Sequence, residues 1–283
     1  MLTRIISGIV MGVGVFALLF LCSWHYFALF VALIAVIGQD ELQRMLSPNR
    51  NLVSRLPLGV ITAILAMSPL ITALNISEAS KIALVGALWF ISFIVIAARH
   101  LIKPLPLTQS AQRVGVDMLG VLYLGATLPA ILGLRLLDVE RGWAWVLLAM
   151  LITFGGDTGG YFAGRAMGGK LFGERRLAPQ LSPKKTWEGY IGGILLGTGG
   201  ALFARVQLEA CATLSVTDCL ILGGVGVTLG VAGDLFESMM KRSSGVKDSG
   251  QLIPGHGGVL DRVDALLFVS PALYIYLMIK LAA

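Results

Sequence analysis

The sequence predicts an all-α protein that crosses a membrane about nine times, with its amino terminus cytoplasmic and its carboxy terminus external. Three observations carry this. Hydrophobic residues make up 56% of the 283 positions and charged residues only 13%, with a mean hydropathy of +0.83, where a soluble domain holds about 25% charged residues. Apolar runs approaching the roughly 20 residues of a spanning helix recur along the whole chain. Once those runs are drawn as spans, nearly all the basic residues fall on one face. A disordered chain, a fibrous repeat and a water-soluble core are thereby excluded. Cys22, Cys211 and Cys219 match no metal spacing and make no disulfide framework, so they are read as bystanders.

The first apolar run, Ile5–Gln39, is too long for one span, at about 50 Å of continuous helix, and breaks naturally at Ser23-Trp24-His25 into two. Arg4 ahead of an apolar stretch has the outline of a signal peptide, but no small-x-small cleavage site follows, and a retained first helix is expected. The later runs are Leu56–Ile76, Ile82–Ala98, Met118–Leu134, Gly142–Gly156, Gly189–Ala204, Cys219–Gly233 and Ala265–Ile279. Under this nine-span scheme one side carries Arg4, Arg44, Arg50, Arg55, Arg99, Lys103, Arg113, Arg165, Lys170, Arg175, Arg176, Lys184, Lys185, Lys241, Arg242, Lys247 and Arg262, which is 17 of the 22 basic residues. The other side has only Lys81, Arg135, Arg141, Arg205 and Lys280. The positive-inside rule makes the first side cytoplasmic. The net charge of +6 is therefore a topology signal first and an anion site second, and no nucleic-acid partner is expected.

Residues 1–140 read as a transmembrane scaffold with plain loops and dimer contacts. Asp117, beside Arg113 at the opening of the fifth span, is expected to form a solvated helix-end pair. Residues 141–283 read as the catalytic region, for there glycine becomes dense and acids end the apolar runs. Two runs finish in Gly-Asp, at Gly156-Asp157 and Gly233-Asp234. A carboxylate near hydrocarbon is costly and normally faces a polar cavity or a partner, and flanking glycines let a backbone or ligand approach. Both acids are expected near the cytoplasmic ends of their helices. Helical spacing sets Ser238 and Lys241 on the stripe of Asp234, and Asp261 and Asp264 share a face at i, i+3. Between Asp234 and Asp264 lie four Asp, one Glu, one His and four Lys or Arg. Carboxylate oxygens suit a hard cation such as Mg²⁺, and the bases suit phosphate.

The loop from Arg165 to Glu188 is a second basic centre, with Ser182-Pro183-Lys184-Lys185-Thr186 at the membrane surface. A Lys-Lys pair beside a helix also serves topology or attraction to anionic lipid. Gly164 to Lys170 fits G-x-x-x-x-G-K, but Leu171 follows where a P-loop needs Ser or Thr, and a membrane helix precedes where it needs a strand. That reading is rejected. His256, framed by Pro254-Gly255 and Gly257-Gly258, has two open readings, a structural loop residue or a group that contacts phosphate or orients an aspartate. Zinc is not expected there without a thiol or second His.

The stretch from Ser238 through Lys241-Arg242, Lys247-Asp248 and Pro254-Gly255-His256-Gly257-Gly258 to Asp261-Arg262-Val263-Asp264 resembles the signature of the phosphatidate cytidylyltransferase (CDP-diacylglycerol synthase) family, with no departure at its fixed positions. Asp157-Thr158-Gly159-Gly160-Tyr161 to Arg165, and Ser182-Pro183-Lys184-Lys185-Thr186-Trp187-Glu188-Gly189, resemble a second region of that family. The matches cover about residues 153–270. The resemblance implies a multi-pass enzyme of the cell inner membrane that makes CDP-diacylglycerol and pyrophosphate from CTP and phosphatidic acid. It also implies Mg²⁺ dependence with K⁺ as second cation, an active site facing the cytoplasm, and a homodimer. Mapped here, it favours Asp234, Ser238 and Asp261 as the metal shell.

Elementary chemistry agrees. Both reactants are anionic, so neutralising charge is the main task. Asp234 and Asp261 are assigned the metal, Lys241, Arg242, Lys247 and Arg262 further countercharge, Lys184, Lys185 and Thr186 the triphosphate, with Asp248 and His256 among the substrate-binding residues and Asp264 among the catalytic ones. A transporter using Asp157 and Asp234 as an ion relay is the rival from another class, but a conduction path would spread polar groups through the membrane depth rather than gather them at one face. A CDP-alcohol phosphotransferase would carry D-G-x-x-A-R, which is absent. Reporters in the loops around Arg50 and Arg175 are expected to read cytoplasmic and one fused at Ala283 external. A cytoplasmic carboxy terminus would put the fault in the short runs Gly142–Gly156 or Cys219–Gly233.

Overall fold

Ser23 separates two helices, as anticipated. In the computed structural model, which describes residues 2–102, 107–173 and 175–282, α1 (Leu2–Phe20) ends before Ser23, which is the extended N-cap of α2 (Trp24–Leu46). The charge at Lys103 and the reporter position at Ala283 lie outside the described residues. Asn51 caps α3 (Leu52–Ala66) by accepting from Ser54 N at 3.0 Å, satisfying one of the donors a helix start leaves open. A 3₁₀ turn (Ser68–Ala73) follows, then α4 (Glu78–Ile102), α5 (Leu107–Leu136) and α6 (Gly142–Met167). After a short hairpin come α7 (Trp187–Gln207), a second 3₁₀ turn (Glu209–Thr213), α8 (Val216–Ser243) and α9 (Leu260–Ala282).

Eight of these helices are long and apolar enough to cross a membrane, and the ninth has a shorter apolar stretch, Ile6–Phe20, among the described residues. The protein is an all-α polytopic membrane protein. Large side chains such as Ile82 and Phe90 on α4 stand 74% and 65% exposed, the state expected of groups whose solvent is lipid, where all backbone polar groups are satisfied within the helix.

Two spans continue well past the Gly-Asp that closes their uncharged runs. The sixth passes Gly156 and continues to Met167, and the eighth passes Gly233 and continues to Ser243. Asp157 and Asp234 therefore sit inside helices rather than at their ends. Runs stop at the first charge, whereas a helix stops where its backbone hydrogen bonds do, and a carboxylate with a partner does not break it. The basic loop is also more ordered than a linker. Arg176–Ala178 (β1) pairs antiparallel with Ser182–Thr186 (β2), in register Arg176 to Thr186 and Ala178 to Ser182.

The chain forms two compact units, residues 1–133 with 248–261, and residues 134–247 with 262–283. A division near residue 140 would leave segment 248–261 with the second half, but it packs with the first unit. The first unit's core includes Leu58, Leu65, Ile96 and Val121 from α3, α4 and α5. In the same unit Asp117 is fully buried, and Arg113 is not its partner. Arg50 grips both its oxygens, with Nη2 donating to Oδ2 at 3.1 Å, and His100 Nε2 lies 2.9 Å from Oδ2. The expected solvated pair is thus a buried ion network. Sequence proximity favoured Arg113 one turn away, whereas packing delivers Arg50 from another turn altogether.

In the second unit α6 and α7 meet backbone to backbone. A Cβ on Gly193 would come within 2.8 Å of Gly156 O, so small residues are needed for this approach. The three cysteines are free, and burial pushes the Cys211 thiol up to about 12, as befits an inert packing residue.

Removing one member of a buried ion pair costs about 3–5 kcal/mol because the other charge is left stranded. Asp117→Asn is expected to lower the thermal midpoint of the detergent-solubilised protein by several degrees, while Arg113→Gln leaves it unchanged. Equal midpoints for the two variants would show that the buried network contributes nothing.

Candidate active site

Asp234 is the centre of the second unit's polar groups. Its Oδ2 lies 2.7 Å from Lys185 Nζ, and its Oδ1 accepts from Ser238 Oγ, one helical turn on, at 3.2 Å. The expected Asp234–Ser238 stripe is present. Asp157 on α6 interacts electrostatically with Asp234, Asp264, Lys185 and Arg262. Gly233 explains how α8 and α9 come so close at this level, since a Cβ there would stand 2.5 Å from Asp264 O. Three aspartates and two cations thus gather from α6, the hairpin, α8 and α9.

The hairpin and the start of α7 set the lysines. Thr186 is the N-cap of α7, its Oγ1 accepting from Gly189 N at 3.0 Å, so its hydroxyl oxygen serves the helix. Lys185 turns inward to Asp234, while Lys184 is exposed. A cavity of about 220 Å³ is lined by Asp157, Lys184, Lys185, Thr186 and Asp234, and also by apolar Leu177, Val227 and Val231. Charged and apolar lining in one cavity suits an amphiphile with an anionic head.

Glu188 settles the P-loop resemblance. Its buried Oε1 accepts from Gly169, Leu171 and Phe172 N at 3.0, 3.1 and 3.1 Å. The backbone donors that a phosphate loop would offer a nucleotide are spent on this carboxylate.

Lys241 shares the helix of Asp234 two turns on. Its Nζ donates to Glu237 Oε2 at 2.8 Å, and Glu237 is completely buried with the Asp264 carboxyl in hydrogen-bonding reach. Asp264 is electrostatically linked to Asp234, Glu237 and Lys241. Arg242, Lys247, Asp248 and Arg262 are exposed, and Arg242 Nη1 donates to Val246 O at 3.0 Å just past the end of α8.

In the first unit, the glycine-rich segment folds as a tight turn. Ile253 N donates to Gly257 O and His256 N to Ile253 O, both at 2.9 Å, with Gly255 and Gly257 at φ of +77° and +87°, which only glycine adopts without strain. Asp261 Oδ2 accepts from Ser249 N, Ser249 Oγ and Gly258 N at 2.8, 2.9 and 2.8 Å. His256 Nδ1 lies 2.9 Å from Ser7 Oγ of α1. Glu41 of α2, in the half read as plain, reaches this segment. It accepts from Val259 N at 3.0 Å, Leu260 N at 2.9 Å and Ser249 Oγ at 3.2 Å.

Sequence reading missed Glu41, and it quoted Glu188 and Glu237 without giving them work. The available signal was an acid within an apolar helix, which must find a partner.

With the geometry in hand, comparison with known proteins decides the family. The profile of the Cytidylyltransferase family matches residues 2–280. The chain belongs to that family. Curated relatives named phosphatidate cytidylyltransferase include those of Haemophilus influenzae, 33% identical over 95% of each chain, and Bacillus subtilis, 32% identical over 97% of this chain and 96% of that one. A third, from Pseudomonas aeruginosa, is 32% identical over 95% of this chain and 93% of its own.

Besides the Lys185 ammonium, the groups at Asp234 are oxygens, its own carboxylate and Ser238 Oγ, and oxygen ligands suit a hard cation. Among the described residues no three His, Cys, Asp or Glu side chains converge into a cage. A cation here would take the rest of its shell from phosphate and water, as Mg²⁺ does when held by one or two carboxylates.

Proposed function

We propose that this protein transfers the cytidylyl group of CTP to phosphatidic acid, releasing pyrophosphate and leaving CDP-diacylglycerol in the membrane. Family membership supports the reaction class, and the names of the relatives support the substrates. The observation in this chain that carries the reading is the Lys185–Asp234 pair at 2.7 Å, lining a cavity that also has apolar walls.

A phosphate oxygen of phosphatidic acid attacks the α-phosphorus of CTP, and the bond to the pyrophosphate leaving group breaks. The nucleophile is already anionic, so no side chain need remove a proton. The protein's work is to bring two polyanions together and balance their charge. Lys184 and Lys185 meet the triphosphate, with Lys185 exchanging Asp234 for phosphate as the nucleotide enters. Lys241 is held in place by Glu237, and Arg242, Lys247 and Arg262 add countercharge. A bound Mg²⁺ would neutralise charge on the departing pyrophosphate. Asp234 and Ser238 would hold that ion. Asp264 and Asp157 add negative potential beside them, while Asp261, Asp248 and His256 are assigned to the reaction on the family signature, as is K⁺ as second cation. The apolar lining keeps the acyl-bearing substrate at the membrane. The charge asymmetry along the sequence supports a site facing the cytoplasm, and the resemblance supports a homodimer in the inner membrane.

Purified protein given labelled CTP and phosphatidic acid is expected to form labelled CDP-diacylglycerol in proportion to pyrophosphate. Nucleotide-independent ion flux in proteoliposomes without that product would overturn the reading. Replacing both Lys184 and Lys185 by Ala should raise KM for CTP at a cost of roughly 1–3 kcal/mol, the range for hydrogen bonds to charged groups. An unchanged KM with altered lipid dependence would return the pair to a lipid-surface role. Asp234→Asn keeps the size and removes the charge, and should lower turnover by about 10²-fold or more, the scale of losing one electrostatic stabiliser. Near-normal turnover at saturating Mg²⁺ would remove Asp234 from the centre.

A further inference from the structure

The first unit contains a carboxylate that no reading of the sequence employs, and its surroundings are specific. Glu41 is 6% exposed, on a helix long and apolar enough to span a membrane. Burying an ionised acid there costs several kcal/mol unless donors meet it. They do: Val259 N and Leu260 N at 3.0 and 2.9 Å, with the Ser249 hydroxyl at 3.2 Å. Leu260 is the first residue of α9, so Glu41 takes up amides that a helix start leaves without partners and sits at the positive end of the helix dipole.

Two glycines are shaped to this carboxylate. A Cβ on Gly250 would stand 2.6 Å from Glu41 Oε1, and one on Gly258 would stand 2.2 Å from Ser249 Oγ and 2.5 Å from Glu41 Oε2. The same segment binds Asp261, whose Oδ2 takes Ser249 N, Ser249 Oγ and Gly258 N. Ser249 and the 258–260 backbone are therefore shared by the two carboxylates, and the single Ser249 hydroxyl proton serves one of them at a time. The orientation of Asp261 depends on where Glu41 holds the chain.

We infer that Glu41 is a positioning residue for the reaction: it fixes segment 249–260 against α2 and so sets the direction of the Asp261 carboxylate. The inference rests on the reading of Asp261 as a functional residue. Glu41→Gln retains shape, but its amide NH₂ cannot accept from the N–H or O–H groups that face it.

The test uses the full-length protein in detergent with three variants, Glu41→Gln, Gly250→Ala and Asp261→Asn, read by steady-state kinetics and by amide hydrogen exchange. Glu41→Gln should lower kcat at least ~10-fold with KM for CTP changed less than twofold, and amide exchange at Val259 and Leu260 should accelerate while α6–α8 stay protected. Gly250→Ala, whose Cβ would meet only the Glu41 side chain, crowds the carboxylate without altering Glu41 or the donors to Asp261 and should reproduce both effects. Loss of protection in these two variants with kcat unchanged would overturn the inference, as would unchanged protection. Full activity of Asp261→Asn would instead sink the assignment of Asp261, and is read separately because that variant leaves Glu41 intact.

Discussion

An ionised carboxylate on an apolar helix must be met by a countercharge or a set of donors, and in both units the helices, turns and glycines are arranged around that requirement. In the second unit the demand comes from Asp234. Its partner, Lys185, is not on a neighbouring helix but on a two-stranded hairpin. That hairpin runs directly into α7, whose first turn is capped by Thr186. The glycine contact between α6 and α7 then brings the whole assembly close to Asp157. Local capping, helix packing and site charge are links of one chain of causes.

Magnitudes separate the ion pairs that can take part in chemistry from those that cannot. Asp117 and Arg50 have side chains 0% and 7% exposed, and parting them would cost several kcal/mol. Such a pair holds the fold. Asp234 and Lys185 are 32% and 23% exposed and line a cavity. Exposed pairs are worth about 1 kcal/mol or less, so a pair of intermediate exposure is cheap enough for a polyanionic ligand to open and strong enough to hold both groups in readiness.

The first unit answers the same requirement with backbone. Glu41 is satisfied by two amides at the start of α9 and a hydroxyl, and Asp261 by two amides and the same hydroxyl. Glycine at 257 and 258 is then a matter of space and conformation, because the φ at Gly257 is +87° and a side chain at Gly258 would strike Glu41. Glu188 follows the same rule in the second unit, drawing in three amides of the 169–172 segment.

The helical membrane architecture, the break at Ser23 and the residues around Asp234 were legible in the sequence. They depend on local composition, on period and on the spacing of one turn, which a linear pattern carries in full. The Asp234–Ser238 contact is of this kind. The partners of the buried acids were not legible. Asp117 pairs with Arg50 rather than Arg113, and Glu41 with amides more than two hundred positions away. Asp157 and Asp234 likewise lie within their helices because those helices end where backbone hydrogen bonding ends, not where charge begins. The sequence determined that each acid near the membrane needs a partner. Only the tertiary structure decided which one, because at distances of a few ångströms the choice is made by the packing of helices distant along the chain.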